Sequence, residues 1–218
     1  MDYADARRRM VDGQLRPNRV TDPRLLDAMR TLPREAFLPP ALRSRAYLDE
    51  DVPLPGGRAL LEPMVLARML QLAAVRPDDR ALVVCAGVGY GAAVLARMGA
   101  RVVAVEDDAA LRALAQAAFP VCGLAPGAVR LEGGAPAGGF PAASPYDAIL
   151  VEGEVPEIPQ ALAAQLAEGG RLVAAQGGAT GGRAVLGRLL GGAFTVTPAF
   201  DCAVPALPAF APAPGFVF

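Results

Sequence analysis

Arg80-Ala81-Leu82-Val83-Val84-Cys85-Ala86-Gly87-Val88-Gly89-Tyr90-Gly91, followed shortly by Arg101-Val102-Val103-Ala104-Val105-Glu106, is the stretch whose reading decides the fold. An apolar strand runs into a glycine turn, a small-residue helix follows, and a second apolar strand ends in an acid. A glycine turn between strand and helix lets backbone N–H groups approach a ligand at the helix N-terminus. A carboxylate about 20 residues later, at the tip of the next strand, can accept hydrogen bonds from both ribose hydroxyls. The unit therefore predicts a nucleoside-bearing cofactor. Two classes fit: a dinucleotide, through the loose Gly87-x-Gly89-x-x-Ala92 pattern, and a methyl donor that needs the same adenosine handling without a pyrophosphate site.

Working outward, strands and helices alternate. Strands are expected near 81–85, 101–106, 128–131, 147–151 and 171–175, with helices near 90–97, 108–119 and 159–167. The central strands are continuous apolar runs, as in sheets covered on both faces. The pattern predicts a doubly wound α/β sheet with right-handed crossovers. Residues 184–218 carry strand-like runs without a good helix between them (Ala184–Leu190, Phe194–Thr197, Phe216–Phe218), so a terminal antiparallel pair should close the sheet. Gly177 to Gly182 reads as a flexible turn.

Upstream, residues 1–60 read as a helical and loop-rich segment packed on the core, and residues 61–218 as the cofactor-binding domain. Thr21-Asp22-Pro23 starts a helix that Leu32-Pro33-Arg34 ends. Val52 to Pro63, punctuated by Pro53, Pro55, Gly56-Gly57 and Pro63, reads as an extended loop. Glu62-Pro63 starts the next helix.

Composition narrows the chemistry. Hydrophobic residues make up 53% of 218, which argues against global disorder. With 21 basic and 22 acidic side chains the net charge is -1, so no global field draws nucleic acid or an anionic membrane. The one tight basic run, Arg7-Arg8-Arg9, reads as a solvated helix face. No apolar stretch follows it as a signal peptide requires, and the expectation is a soluble, cytoplasmic protein. Histidine is absent, which removes histidine acid/base catalysis, Ser-His-Asp and Cys-His schemes and the common metal sites together. Cys85, Cys122 and Cys202 have neither disulfide-framework nor zinc spacing.

Taken whole, the chain resembles the protein-L-isoaspartate O-methyltransferase family. The resemblance is carried by Met10-Val11-x-x-Gln14-Leu15, Thr21-Asp22-Pro23-Arg24-Leu25-Leu26-x-Ala28-Met29, Pro33-Arg34-Glu35-x-Phe37-Leu38-Pro39, Ala46-Tyr47-x-Asp49 and Pro53-Leu54-Pro55. Gly89-Tyr90-x-Ala92-Ala93-Val94-Leu95-Ala96, Tyr146-Asp147-x-Ile149 and Gln165-Leu166-x-x-Gly169-Gly170-Arg171-Leu172-Val173 complete it. It implies a Rossmann-like methyltransferase fold, S-adenosylmethionine as cofactor, and methyl transfer to a carboxylate of a damaged protein or peptide. Gly87, Gly89, Tyr90, Glu106, Asp107, Gly133, Gly134 and Glu152 become the cofactor-binding candidates, and Arg58, Leu61 and Glu62 the substrate-cleft candidates.

The departures are specific. Where the family reads Gln-Thr-Ile-Ser-Gln-Pro, with the serine its expected active-site hydroxyl, this chain has Arg58-Ala59-Leu60-Leu61-Glu62-Pro63, so Leu61 holds the serine position. Val83 and Cys85 stand at the family's acid and first glycine of the turn. Its Gly-Asp-Gly becomes Gly133-Gly134-Ala135, and its small Thr-containing segment becomes Glu152-Gly153-Glu154. Two alternatives to an active methyltransferase stay open at this point: a family member without catalysis that binds cofactor or protein, and an NAD-dependent oxidoreductase.

Overall fold

The computed structural model describes residues 2–177 and 182–211. Helix α1 (Tyr3–Met10) is capped by Asp2, whose carboxylate accepts from the Asp5 N–H at 3.0 Å. Helix α2 (Pro23–Thr31) is capped in the same way by Asp22 and carries Pro23 in its first turn. Its Leu25, Leu26, Ala28 and Met29 are buried, as the 3.6-residue spacing requires.

The stretch expected as a loop after Val52 is instead a hairpin of β1 (Val52–Leu54) and β2 (Arg58–Leu60). Gly56 and Gly57 take φ of 67° and 69°, a left-handed pair that folds the chain back and that a residue with a Cβ resists. The proline punctuation concealed the hairpin because Pro53 sits on a two-stranded edge, where a missing N–H costs little.

Helix α3 (Pro63–Ala73) leads into β3 (Arg80–Val84), α4 (Tyr90–Arg97), β4 (Arg101–Val105), α5 (Ala109–Val121), β5 (Val129–Glu132), β6 (Tyr146–Val155), α6 (Gln160–Ala163), β7 (Leu166–Gln176), β8 (Arg183–Leu190) and β9 (Ala193–Asp201). The sheet order is β5-β4-β3-β6-β7-β8-β9. The pairs from β5 through β7 are parallel, and β8 and β9 close the edge antiparallel, as expected. Strand order reverses between β3 and β6, so a ligand crevice belongs at the carboxyl ends of these two strands.

Two further expectations are corrected. The helix over 159–167 shrinks to α6, because Leu166 already pairs with Tyr146 and Gly169, at φ 77°, breaks any helical continuation. Arg7 is not part of a solvated face: its guanidinium bonds the Tyr47 hydroxyl at 3.0 Å and Glu35 at 3.3 Å, while Arg8 and Arg9 remain exposed and pair with Asp5. Of the turn expected over Gly177 to Gly182, residues 178–181 lie outside the described residues, as does the run Phe216–Phe218.

One apolar cluster joins Met10, Val11, Leu15, Leu25 and Met29 of the N-terminal segment to Val65, Leu66, Val83 and Val94 of the sheet and its helices. A second cluster, with Leu82, Val84, Ile149, Val151 and Leu172, covers the opposite face. No helix among the described residues is long and apolar enough to cross a membrane.

Candidate functional site

Strand β3 ends in Val84, and the chain turns through Cys85 to Gly89 before α4 begins. Cys85 adopts φ 55°, Gly87 54° and Gly89 83°. A turn this tight needs left-handed residues, and at Cys85 the chain takes that conformation with a side chain attached, at a cost on the order of 1–2 kcal/mol. The buried Cys85 thiol is pushed up to about 12 by desolvation, so it is an inert packing group. Two glycines of this region have different reasons to be glycine. A Cβ on Gly89 would lie 2.8 Å from Ala115 Cβ and 3.0 Å from Phe119, so Gly89 lets α4 pack against α5. A Cβ on Gly87 would meet nothing within 4 Å, which leaves its face of the turn open toward a ligand.

Glu106 follows β4 and is fully buried. Its Oε2 accepts the Gly87 N–H at 2.6 Å and its Oε1 the Asp108 N–H at 3.0 Å. Turn and acid thus meet as expected. The acid is also gripped by Arg58 at the start of β2: Nη1 donates to Oε1 at 3.0 Å, and Nη2 lies 2.9 Å from Oε2. The same Nη2 donates to the Cys85 carbonyl at 2.5 Å, and Nη1 is 3.6 Å from Asp107. Burial lifts the Glu106 carboxyl above its ordinary range, and the Arg58 charge opposes that shift. Asp107 is exposed, Gly133 lies beside the Arg112 guanidinium, and Gly134 faces open space. Arg112 in turn donates to the carbonyls of Glu106, at 2.6 Å, and Asp107, at 2.9 Å.

The β6–β7 ladder shifts register between Leu150 and Glu154, which turns Glu152 out of the regular pairing. Glu152 is buried, and its carboxylate packs directly on Gly91 in the first turn of α4, where a side chain would collide with it. Burial pushes the Glu152 carboxyl up to about 8, against the pull of Arg58 and Arg34 and with the push of Glu106.

Arg34, absent from the candidates above, is fully buried beneath this site. Its Nε donates to the Ala46 carbonyl at 2.7 Å and its Nη2 to the Leu61 carbonyl. Its guanidinium carbon sits 4.9 Å from the Tyr90 ring centroid. Arg34 Nη1, Tyr90 OH and Glu152 Oε1 are buried without a hydrogen-bond partner among the described residues. Tyr90 packs edge-on against Phe37 at 5.3 Å and is fully buried. Within Leu32-Pro33-Arg34 the arginine reads as a helix end, and no local signal marks an arginine whose burial is created by two distant carbonyls.

Leu61 is 1% exposed and packs in the core instead of lining an open cleft. Glu62 is the N-cap of α3, its carbonyl accepting the Leu66 N–H at 3.1 Å and its side chain making no capping bond; its own N–H donates to Asp51 Oδ1 at 2.7 Å, and its half-buried carboxyl is raised by burial and by Asp49 and Asp51. Among the described residues no group of three His, Cys, Asp or Glu is placed to hold a metal ion.

Residues 6–184 match the family model described as Protein-L-isoaspartate(D-aspartate) O-methyltransferase (PCMT). A protein-L-isoaspartate O-methyltransferase of Methylorubrum extorquens is 48% identical over 172 residues, spanning 79% of this chain and 74% of that protein. One of Methanoregula boonei is 43% identical over 175 residues, 80% of each. A solved protein-L-isoaspartate O-methyltransferase superposes with a TM-score of 0.79 at 24% identity, over 92% of this chain and 65% of that one. A Plasmodium falciparum protein assigned to the same family, solved with S-adenosyl-L-homocysteine, superposes with a TM-score of 0.78 at 17% identity, over 93% and 98%. At these identities the two structures speak to the fold alone.

Proposed function

The chain belongs to the protein-L-isoaspartate O-methyltransferase family, and we propose that it transfers a methyl group from S-adenosylmethionine to a carboxylate of a damaged protein or peptide. The observation that carries this reading is the meeting of Glu106 with the Gly87 N–H, 2.6 Å apart, at the carboxyl ends of β3 and β4. The residues fit the nucleoside part of the cofactor: Gly87 leaves space beside the turn, and Glu106 is the acid for the ribose hydroxyls. Asp107, Gly133 and Gly134 flank that seat.

S-adenosylmethionine, when bound, supplies the methyl group on a sulfonium. The chain's own work is then placement and charge control. An isoaspartyl carboxylate is already ionised near neutral pH, so no residue has to take its proton, and the lack of histidine is no obstacle. Alignment of the reacting atoms is what remains for the protein to supply. Burial raises the Glu152 carboxyl to about 8, which favours its neutral form and weakens any repulsion of an arriving carboxylate near neutral pH. The buried Arg34 guanidinium adds positive potential from below.

The test is methyl incorporation from labelled S-adenosylmethionine into an isoaspartyl peptide, with the normal aspartyl peptide as control. Incorporation confined to the isoaspartyl peptide is the expected result. Labelling of neither peptide, with S-adenosylhomocysteine nevertheless bound, would assign the chain a cofactor-binding role without this chemistry.

A further inference from the structure

Glu106 has two carboxylate oxygens and about four directions in which to accept hydrogen bonds. Three are taken by donors from inside the protein, the N–H groups of Gly87 and Asp108 and Arg58 Nη1, and Arg58 Nη2 stands 2.9 Å from Oε2 as the other half of the ion pair. A ribose offers two hydroxyl donors to the same oxygens, so it has to compete with the guanidinium for them. Arg58 is a strong occupant. Its planar fork spans both oxygens, its Nη2 also bonds the Cys85 carbonyl, and its side chain is 6% exposed.

The arginine is also built to leave. It follows directly on Gly56 and Gly57, the exposed tip of the β1–β2 hairpin. That tip rests only lightly on its neighbours: a Cβ on Gly56 would stand 3.6 Å from Asp108 Oδ2, and one on Gly57 3.4 Å from Pro208 Cγ. Both glycines have φ near 70°, from which a glycine can swing to other backbone regions without a Cβ to obstruct it. Asp107, at 3.6 Å from Nη1 and half exposed, offers the displaced guanidinium a neighbouring anion nearer solvent.

We propose that Arg58 is a built-in competitor for the nucleoside seat: it neutralises Glu106 in the empty protein, and S-adenosylmethionine binds only by displacing it. The inference rests on the cofactor reading above, and it adds that cofactor affinity is set by the ion pair at the family's glutamine position. The conformational cost of breaking that pair lowers the apparent affinity by the fraction of molecules in which Glu106 is free.

The experiment is calorimetric titration of S-adenosylhomocysteine into the full chain and into Arg58→Gln and Arg58→Lys variants, with thermal melts of each protein alone. Arg58→Gln is expected to bind at least tenfold more tightly than the wild type while melting at a lower temperature when empty. Arg58→Lys, which keeps the charge but loses the fork, should fall between them, and it carries the test if Arg58→Gln does not fold. A variant that was merely damaged would bind more weakly, so a gain in affinity separates competition from structural support. Equal or weaker binding by the folded variants, with the wild type binding, overturns the competitor and leaves the cofactor reading standing. Absence of binding by all three proteins overturns both.

Discussion

A single carboxyl illustrates how much the surroundings of a residue decide. Glu152 would be an ordinary exposed acid after a strand, but the register shift in β6 buries it on Gly91, and desolvation raises it to about 8. Arg58 and Arg34 draw it down and Glu106 pushes it up, so burial is the dominant cause. The sign of the consequence follows from proton counting. In the unfolded chain the group ionises near 4.5, whereas in the folded chain it holds its proton until about 8, so across that window the native state binds more protons. Its stabilising effect is complete below the unfolded value and is lost as pH rises through the folded one, at up to about 1.4 kcal/mol per pH unit. Urea denaturation of wild type and Glu152→Gln between pH 5 and 8.5 should therefore give a difference in stability that moves in favour of the glutamine variant as pH rises. A pH-independent difference would mean that Glu152 is ionised throughout.

Among the elements, the turn from β3 to α4 is where local pattern and three-dimensional demand diverge. Apolar periodicity was enough to place β3, α4 and β4 to within a residue or so, because each is a self-contained run bounded by glycine or charge. The hairpin of β1 and β2 escaped that reading, since its strands are three residues each and its prolines are tolerated only because the pair is an edge. Cys85 reads as the last residue of an apolar strand, yet its φ of 55° makes it the first residue of the turn. Replacing it tests that conformation directly. Cys85→Ala keeps the left-handed strain and loses buried sulfur, whereas Cys85→Gly also loses the side chain but removes the strain. Chemical denaturation should show the glycine variant more stable than the alanine variant by about 1 kcal/mol. If alanine equals or exceeds glycine, the turn is not strained at this position.

At the scale of the molecule, the N-terminal segment and the sheet share one apolar cluster, which runs from Met10 and Leu25 through Val65 to Val83 and Val94. A chain beginning at residue 61 would expose the partners of Met10, Val11, Leu15, Leu25, Met29 and Phe37. It would also leave Glu106 without Arg58. Such a truncation should lack a cooperative thermal transition by circular dichroism, and a sharp transition near that of the full chain would show the segment to be dispensable. The parallel sheet and its antiparallel closure were legible along the chain, as was the meeting of the glycine turn at Gly87 with Glu106, because each rests on runs and turns that are neighbours in sequence. The buried role of Arg34, the inward turn of Glu152 and the capture of Glu106 by Arg58 were not. Arg58 and Glu106 are 48 residues apart, and Arg34 and Leu61 are 27 apart. A periodic pattern records which face of an element is apolar, but it carries no information on which charge another segment will bring to that face. Those pairings exist because the hairpin brings Arg58 to the end of β3 and the N-terminal segment packs on α3, α4 and α5, where desolvation compels each buried charge to find a partner.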